Sequence, residues 1–533
     1  MTDQKTGAYS KVFLYVAVFF SGMTTLAVEL SASRLLGNVF GTSNLVWANV
    51  IGLMLLYLTI GYFLGGWIAD RSPHPATLYQ LIVWGAFLCA LIPLVSNRVL
   101  FAASRAVVEI NAGVVVGAFI SVIALFAVPI TLLGTVSPFA IRLAVTDVSS
   151  AGKISGRIYA ISTLGSILGT FLPVLVFIPL LGTTQTFLVF SSVLFIVGCI
   201  GLWQSRPRAV LRLLWMPGVV ALVFVFTGQF RVRAALSPDF TVLYEGESAY
   251  NYIQVQEHMP TGYRFLFLNE GQGIHSQWHP EIITYDRTWS YFLTAPYFNA
   301  PSYSPEQVRS VAVVGLAAGT IPRQHIDIYG DIEIDGIEID PEITQVGADY
   351  FQMNSQDMPQ LNVIIGDGRY ELNHSETLYD VVALDAYRPP YIPWHLTTVE
   401  FFEEIEQRLT PDGVVAVNVG RTPGDRRLVD AMTSTLLAVY PTVHAMDVPD
   451  TFNTILVATQ QPTTADNLAV NAAQIDPEAY PLLVDMLNKG AGSIVPTATT
   501  GPVFTDDKAP VELLVDSIVL NFLFSEDADT LRQ

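Results

Sequence analysis

Up to about residue 230 the chain is a succession of apolar runs, each near the roughly 20 residues that an α-helix needs to cross a hydrocarbon layer, and nothing else in it constrains the fold so tightly. Inside such a layer every backbone amide must find its partner within its own segment, so the runs are read as membrane helices. Hydropathy places seven of them, near residues 12–33, 43–68, 77–96, 112–136, 157–180, 184–203 and 212–228. The first shows no small-residue cleavage site and is expected as a retained span, not a leader. Gly61, Gly65 and Gly66, then Gly165 and Gly169, have the spacing that lets helices approach closely. Glu29 falls inside the first span, where a charge is costly unless paired. Arg34 or Arg142 is its expected partner, and a transport or lipid-head role is the alternative.

Charge separates this region from the rest. Residues 1–230 hold 12 Lys/Arg against 5 Asp/Glu, a net of +7, whereas the remainder holds 15 against 42, a net of −27. The acidic half argues against nucleic acid and favours a small cationic substrate, although solubility alone would also explain it. In the apolar half, Lys5, Lys11, Arg71, Arg142, Lys153, Arg157, Arg206, Arg208 and Arg212 fall on one side against Arg34, Arg98 and Arg105 on the other, so the N-terminus is expected in the cytoplasm. Cys89 and Cys199 both sit in apolar segments, so no disulfide framework or cysteine-rich zinc site is available. His275, His279, His325, His374, His395 and His444 lack ligand spacing, and no metal is expected.

After Arg233 the pattern turns to alternation, in Tyr250–Glu257 and Tyr263–Gly271, joined by a Met-Pro-Thr-Gly turn. From Val311 short apolar runs (VAVVG, IDGIEID, LNVIIGDG, YDVVALDA, GVVAVNV) alternate with helical stretches, which predicts a parallel sheet covered on both faces. The expected fold is an all-α multi-pass membrane bundle over residues 1–230, a β-hairpin layer over 235–305 and a Rossmann-like, methyltransferase-type α/β domain over 306–533.

The chemistry concentrates at strand ends. The first run leads into Gly315-Leu316-Ala317-Ala318-Gly319-Thr320, a small-residue turn through which backbone can approach a ligand. Glu338 follows Gly319 by 19 residues and closes the next strand, where an acid can accept ribose hydroxyls. Asp367 and Gly368 close the third run and Asp385-Ala386-Tyr387 the fourth, while the fifth is expected after the turn Thr410-Pro411-Asp412-Gly413. Any one of these acids could merely cap a helix, but together they point to a nucleoside.

These elements resemble the core of spermidine synthase and its polyamine aminopropyltransferase relatives, in a form joined to an N-terminal transmembrane domain. The similarity lies in Gly336–Asp340, in the GDGR run Gly366–Arg369, in Leu396, Thr397 and Phe401, in Ser248, Tyr250 and Asn251, and in the late FTDDKAPVE run, Phe504–Glu512. It implies that Glu338 and Asp340 hold the ribose side of an S-adenosyl nucleoside, with Gly315, Ala317, Gly319, Asn251, Asp367 and Gly368 completing that site. It further implies that Asp385 and Tyr387 act at the reacting tail, and that Tyr250, Asp286 and Tyr291 line an amine pocket. Three departures stand out. The glycine turn lacks the family's aspartate, Arg388 stands where a second aspartate is usual, and Trp289-Ser290-Tyr291 replaces a tyrosine-histidine-glutamate group. An amine must lose a proton before it attacks carbon; Arg388, the third residue at the reacting tail, opposes that and could instead bind the carboxylate that S-adenosylmethionine has and its decarboxylated form lacks. The resemblance therefore implies S-adenosylmethionine or its decarboxylated form as co-substrate, with aminopropyl transfer to an amine. The alternatives are a lyase or cyclase acting without acceptor, a methyltransferase, or a polyamine transporter or sensor. Gly65–Pro75 resembles a loop of major facilitator transporters, and a transporter of seven spans would need a second copy of the chain. An odd span count places the soluble half outside, whereas S-adenosyl ligands are cytosolic. The cytoplasmic side is expected, with the last run, interrupted by Pro217 and Gly218, not crossing.

Overall fold

The computed structural model describes residues 11–40, 44–109, 114–227, 236–269, 273–283, 287–387, 392–498 and 500–523. Arg388 and Asp286 lie outside them. The chain forms two compact units, residues 1–234 with 246–249, and residues 235–245 with 250–533.

The first unit is helical: α1 (Lys11–Phe40), α2 (Asn44–Arg71), α3 (Pro75–Glu109), α4 (Val114–Gly134), α5 (Val136–Ala144), α6 (Ala151–Leu172), α7 (Ile178–Leu181), α8 (Thr183–Ser205), α9 (Pro207–Leu211) and α10 (Trp215–Thr227). Seven segments among the described residues, from Val12–Gly37 to Pro207–Phe226, are long and apolar enough to cross a membrane. Large apolar side chains such as Phe63, Leu175 and Leu180 face outward from these helices. The glycine spacing has a packing cause. A Cβ on Gly165 or Gly169 of α6 would come within 2.0 Å of the carbonyl oxygen of Phe19 or Met23 on α1, so these two helices touch backbone to backbone. Gly61 and Gly65 of α2 press in the same way on Thr131 and Thr135, while Gly66 meets nothing. Arg142, one expected partner of Glu29, instead pairs with Asp70 at 3.0 Å. Both residues sit at the polar ends of their helices, where an ion pair is solvated and desolvation costs little.

The second unit begins with a four-stranded sheet in the order β1 (Phe240–Glu247), β2 (Tyr252–His258), β3 (Arg264–Leu268), β4 (Ile274–Trp278). The hairpin read from alternation is its centre, with Val255 opposite Leu266 in antiparallel register. Helix α11 (Thr288–Tyr291) and a buried 3-10 turn, Phe292–Phe298, connect it to the main domain.

That domain carries β5 (Ser310–Val314), α12 (Thr320–Tyr329), β6 (Glu333–Glu338), α13 (Pro341–Phe351), β7 (Leu361–Ile365), α14 (Gly368–His374), β8 (Tyr379–Leu384), α15 (Val399–Glu406), β9 (Leu409–Gly420) and α16 (Arg427–Leu437). It closes with β10 (Thr442–Asp447), β11 (Asn453–Thr459), α17 (Asp466–Ala472), α18 (Pro481–Gly492), β12 (Ile494–Val495) and α19 (Val511–Leu523). The sheet order is β12-β10-β11-β9-β8-β5-β6-β7. Strands β9, β8, β5, β6 and β7 are parallel, as the five apolar runs predict. The sheet continues beyond these five at the far edge, where β11 runs antiparallel to β9 and β10, and β12 antiparallel to β10. Short connections after Asp447 let the chain return as a hairpin instead of crossing over. A correction concerns Thr410–Gly413, which lies inside β9 as an irregularity in its pairing with β8, not as a turn before it. Both faces of the sheet are covered. Along β5, Val311 and Val313 pack in one apolar core, and Ala312 and Val314 in the other.

Candidate active site

The turn after β5 is held in a shape that its residues dictate. Gly315 and Gly319 have φ of +85° and +81°, a region that costs an L side chain about 1 kcal/mol or more, and Ala317 between them is at +48°. The amides of Gly315 and Leu316 donate to the carbonyl of Ile337, anchoring the turn on β6. A Cβ on Gly315 would sit 2.6 Å from the carbonyl oxygen of Asp385, so the turn also presses on the end of β8.

Glu338 ends β6 buried against this turn. Its carboxylate accepts from the amide of Ala317 at 2.9 Å and of Asp340 at 3.2 Å. Burial pushes its pKa up to about 7, against the opposing pull of those two amides. Each carboxylate oxygen keeps a second lone pair, the requirement for accepting a diol. Asp340 is fully buried and occupied otherwise than expected: it caps α13 by accepting from the amide of Glu342, and it accepts from Asn251 Nδ2 at 2.8 Å. The Asn251–Asp340 bond thus ties the small sheet to the large one.

Asp367 caps α14, with Oδ1 accepting from the amides of Arg369 and Tyr370, while Oδ2 lies 2.9 Å from His395 Nε2. An adenine amino group would share that acceptor with His395. Gly368 packs closely on β5, where a Cβ would meet Val314 Cγ1 at 2.3 Å. Arg369 of the GDGR run reaches away, pairing with Glu404 at 2.7 Å and with Asp506 of the FTDDKAPVE run at 2.7 Å. Two of the motifs noted in sequence are therefore a single structural clamp.

The ends of β8 and β9 line a cavity of about 380 Å³ with Ala317 of the glycine turn. Asp385 is recessed in it, accepting from Asn418 Nδ2 at 2.8 Å and from the Trp289 side chain. Burial pushes its pKa up to about 7, while those two donors pull it back. Asn418 is itself oriented by Asn453, whose Nδ2 donates to Asn418 Oδ1 at 2.8 Å. Tyr387 donates to the Asn418 carbonyl at 3.1 Å and lines the same space. Tyr291, expected here, is 3% exposed and belongs to the apolar core. Its helix turns it inward and leaves Trp289 facing the cavity. Tyr250 is exposed and does not contribute to the lining.

Sequence reasoning missed Asn418, Asn453, Arg287 and His275 as lining residues. Asn418 was legible in principle, as a polar residue near the end of the apolar run GVVAVNV. Among the described residues no cluster of potential metal ligands occurs.

Residues 298–457 match the family described as spermine/spermidine synthase domain. A probable polyamine aminopropyl transferase of Bifidobacterium longum is 29% identical over 330 residues, covering 56% of this chain and 69% of that protein. A polyamine aminopropyltransferase of Vibrio vulnificus is 27% identical, covering 46% and 84%. The human eEF1A lysine and N-terminal methyltransferase is 27% identical over a shorter stretch, 29% of this chain and 23% of that one. Among solved structures, a probable spermidine synthase from Corynebacterium glutamicum superposes with TM-score 0.38 at 19% identity, over 45% of this chain and 87% of that one. Behind seven long apolar helices, residues 298–457 thus match a spermine/spermidine synthase domain, and the relatives similar to the second half of the chain include proteins named polyamine aminopropyltransferases.

Proposed function

We propose that the chain is a membrane-anchored aminopropyltransferase-like enzyme that takes S-adenosylmethionine or its decarboxylated form and an amine, and releases methylthioadenosine. The observation that carries this reading is Asp385, a recessed carboxyl with its pKa pushed up to about 7, facing a cavity bounded by the glycine turn. A base of that strength is half ionised near neutral pH, the poise that proton transfer favours. The ribose would lie on Glu338, and the sulfonium tail would cross the turn towards Asp385. There the amine nitrogen forms its bond to the carbon beside sulfur. The carbon–sulfur bond breaks, its electron pair neutralises the sulfonium, and the amine proton passes to Asp385. Trp289 and Asn418 hold the carboxylate so that its free oxygen faces the amine.

The seven apolar helices support a bilayer as the partner of the first unit, the acidic second unit supports a cation-binding role, and an S-adenosyl ligand, supplied in the cytosol, favours the cytoplasmic side for the second unit. Mass spectrometry of the full chain with decarboxylated S-adenosylmethionine and putrescine tests the activity. Methylthioadenosine formed only when the amine is present is the expected result. Its formation from S-adenosylmethionine alone would establish a lyase, and S-adenosylhomocysteine a methyltransferase.

A further inference from the structure

The cavity beside Asp385 contains a cation that aminopropyl transfer between simple amines does not need. Arg287 lines it, directly before α11, and no carboxylate among the described residues pairs with its guanidinium. Partial burial holds its pKa below the usual guanidinium value. His275, on β4, lines the same cavity, and its Nε2 is buried without a hydrogen-bond partner among the described residues. Burial brings the His275 pKa down to about 4, so the ring is neutral and carries one N–H to give. Among the described residues, an exposed guanidinium with no carboxylate partner and a buried ring nitrogen with no hydrogen-bond partner thus face one cavity. Asp385 and Asp450 line the cavity as well and would receive a cationic group. A lining with acids and an unpaired cation complements a zwitterion better than a diamine.

We infer that this cavity binds a carboxylate through Arg287 and His275, so that one of the two substrates is a carboxylated amine. This rests on the S-adenosyl reading of the site. The carboxylate has two sources, the α-carboxylate of S-adenosylmethionine itself or that of an amino-acid acceptor. In both cases a planar fork of donors meets two oxygens, and loss of such a charge-assisted contact changes affinity by about tenfold to a hundredfold.

Two matched pairs isolate the group: S-adenosylmethionine against its decarboxylated form, and ornithine against putrescine, each pair differing by one carboxylate. Binding of the first pair is measured by calorimetry, and methylthioadenosine release with the second, on full-length chain in nanodiscs. The expected result is a preference for the carboxylated member of one pair that falls about tenfold or more in Arg287→Met, with Arg287→Lys restoring part of it. His275→Phe, which keeps a flat ring without the N–H, lowers the same preference. The pair that responds names the source. Preference for the decarboxylated member of both pairs, or ratios unmoved by Arg287→Met, overturns the inference while leaving aminopropyl transfer standing. If neither nucleoside binds wild type, both the inference and the S-adenosyl reading are overturned.

Discussion

Asp385 and Glu338 are both carboxyls whose burial outweighs the donors around them, yet their surroundings assign them different work. Asp385 has a side-chain amide and an indole beside it and open cavity in front, so its ionisation governs proton transfer. Turnover per bound substrate should rise with pH through about 7 as the carboxyl becomes the base, and a flat profile from pH 6 to 8 would contradict the assignment. Asp385→Asn should lower turnover about a hundredfold or more while nucleoside affinity changes little. Asn418 acts through Asp385. Asn418→Leu removes one of the donors that pull its pKa down, so the rising limb should move to higher pH, which a merely structural loss would not do. The strand-end acids were legible in sequence because acids at the carboxyl ends of parallel strands announce a nucleotide crevice. What sequence could not tell was which of them were already spent. Asp340 and Asp367 look like Glu338 and Asp385 on paper, and only the fold shows them capping α13 and α14.

At the scale of elements, the apolar runs predicted β5 to β9 and the seven long apolar helices, since a strand buried on both faces and a helix apolar over its whole length each leave an unbroken apolar signature. The antiparallel edge, β10 to β12, was not foreseen, because a strand's direction depends on its connection and not on its side chains. The clamp built by Arg369 was hidden for a related reason, as Asp506 lies 137 positions along the chain. Arg369 is 18% exposed and holds two carboxylates, so Arg369→Ala should cost about 1 to 3 kcal/mol and lower the unfolding midpoint of the second unit. A midpoint equal to wild type would show the clamp to be solvated. Between helices α1 and α6 the contact is backbone on backbone. Gly165→Leu should therefore force them apart, with loss of a monodisperse species in detergent, whereas Gly66→Leu, where nothing lies within 4 Å, should leave the protein monodisperse.

For the molecule as a whole, the two raised carboxyls make the folded chain a stronger proton acceptor than the unfolded one between the ordinary carboxylate pKa near 4 and their own values near 7. Over that window the native state binds more protons, so stability falls as pH rises and levels off above it. Thermal midpoints measured from pH 5 to pH 8 should decline. The decline should shrink in Glu338→Gln, which has no proton to lose; an undiminished decline would place its origin elsewhere. Nucleoside binding should raise the midpoint at each pH.

The glycine turn touches both ends of this chemistry. Through Ala317 it holds Glu338, and through Gly315 it leans on Asp385. Neither acid can shift without moving the same short piece of backbone, itself set by two residues at positive φ that tolerate no side chain. The turn is in effect a gauge. It fixes the span between the acid that grips a sugar and the acid that takes a proton, so a ligand is judged by length as much as by charge, and a tail lengthened by one methylene would carry its reacting carbon past the base meant to serve it.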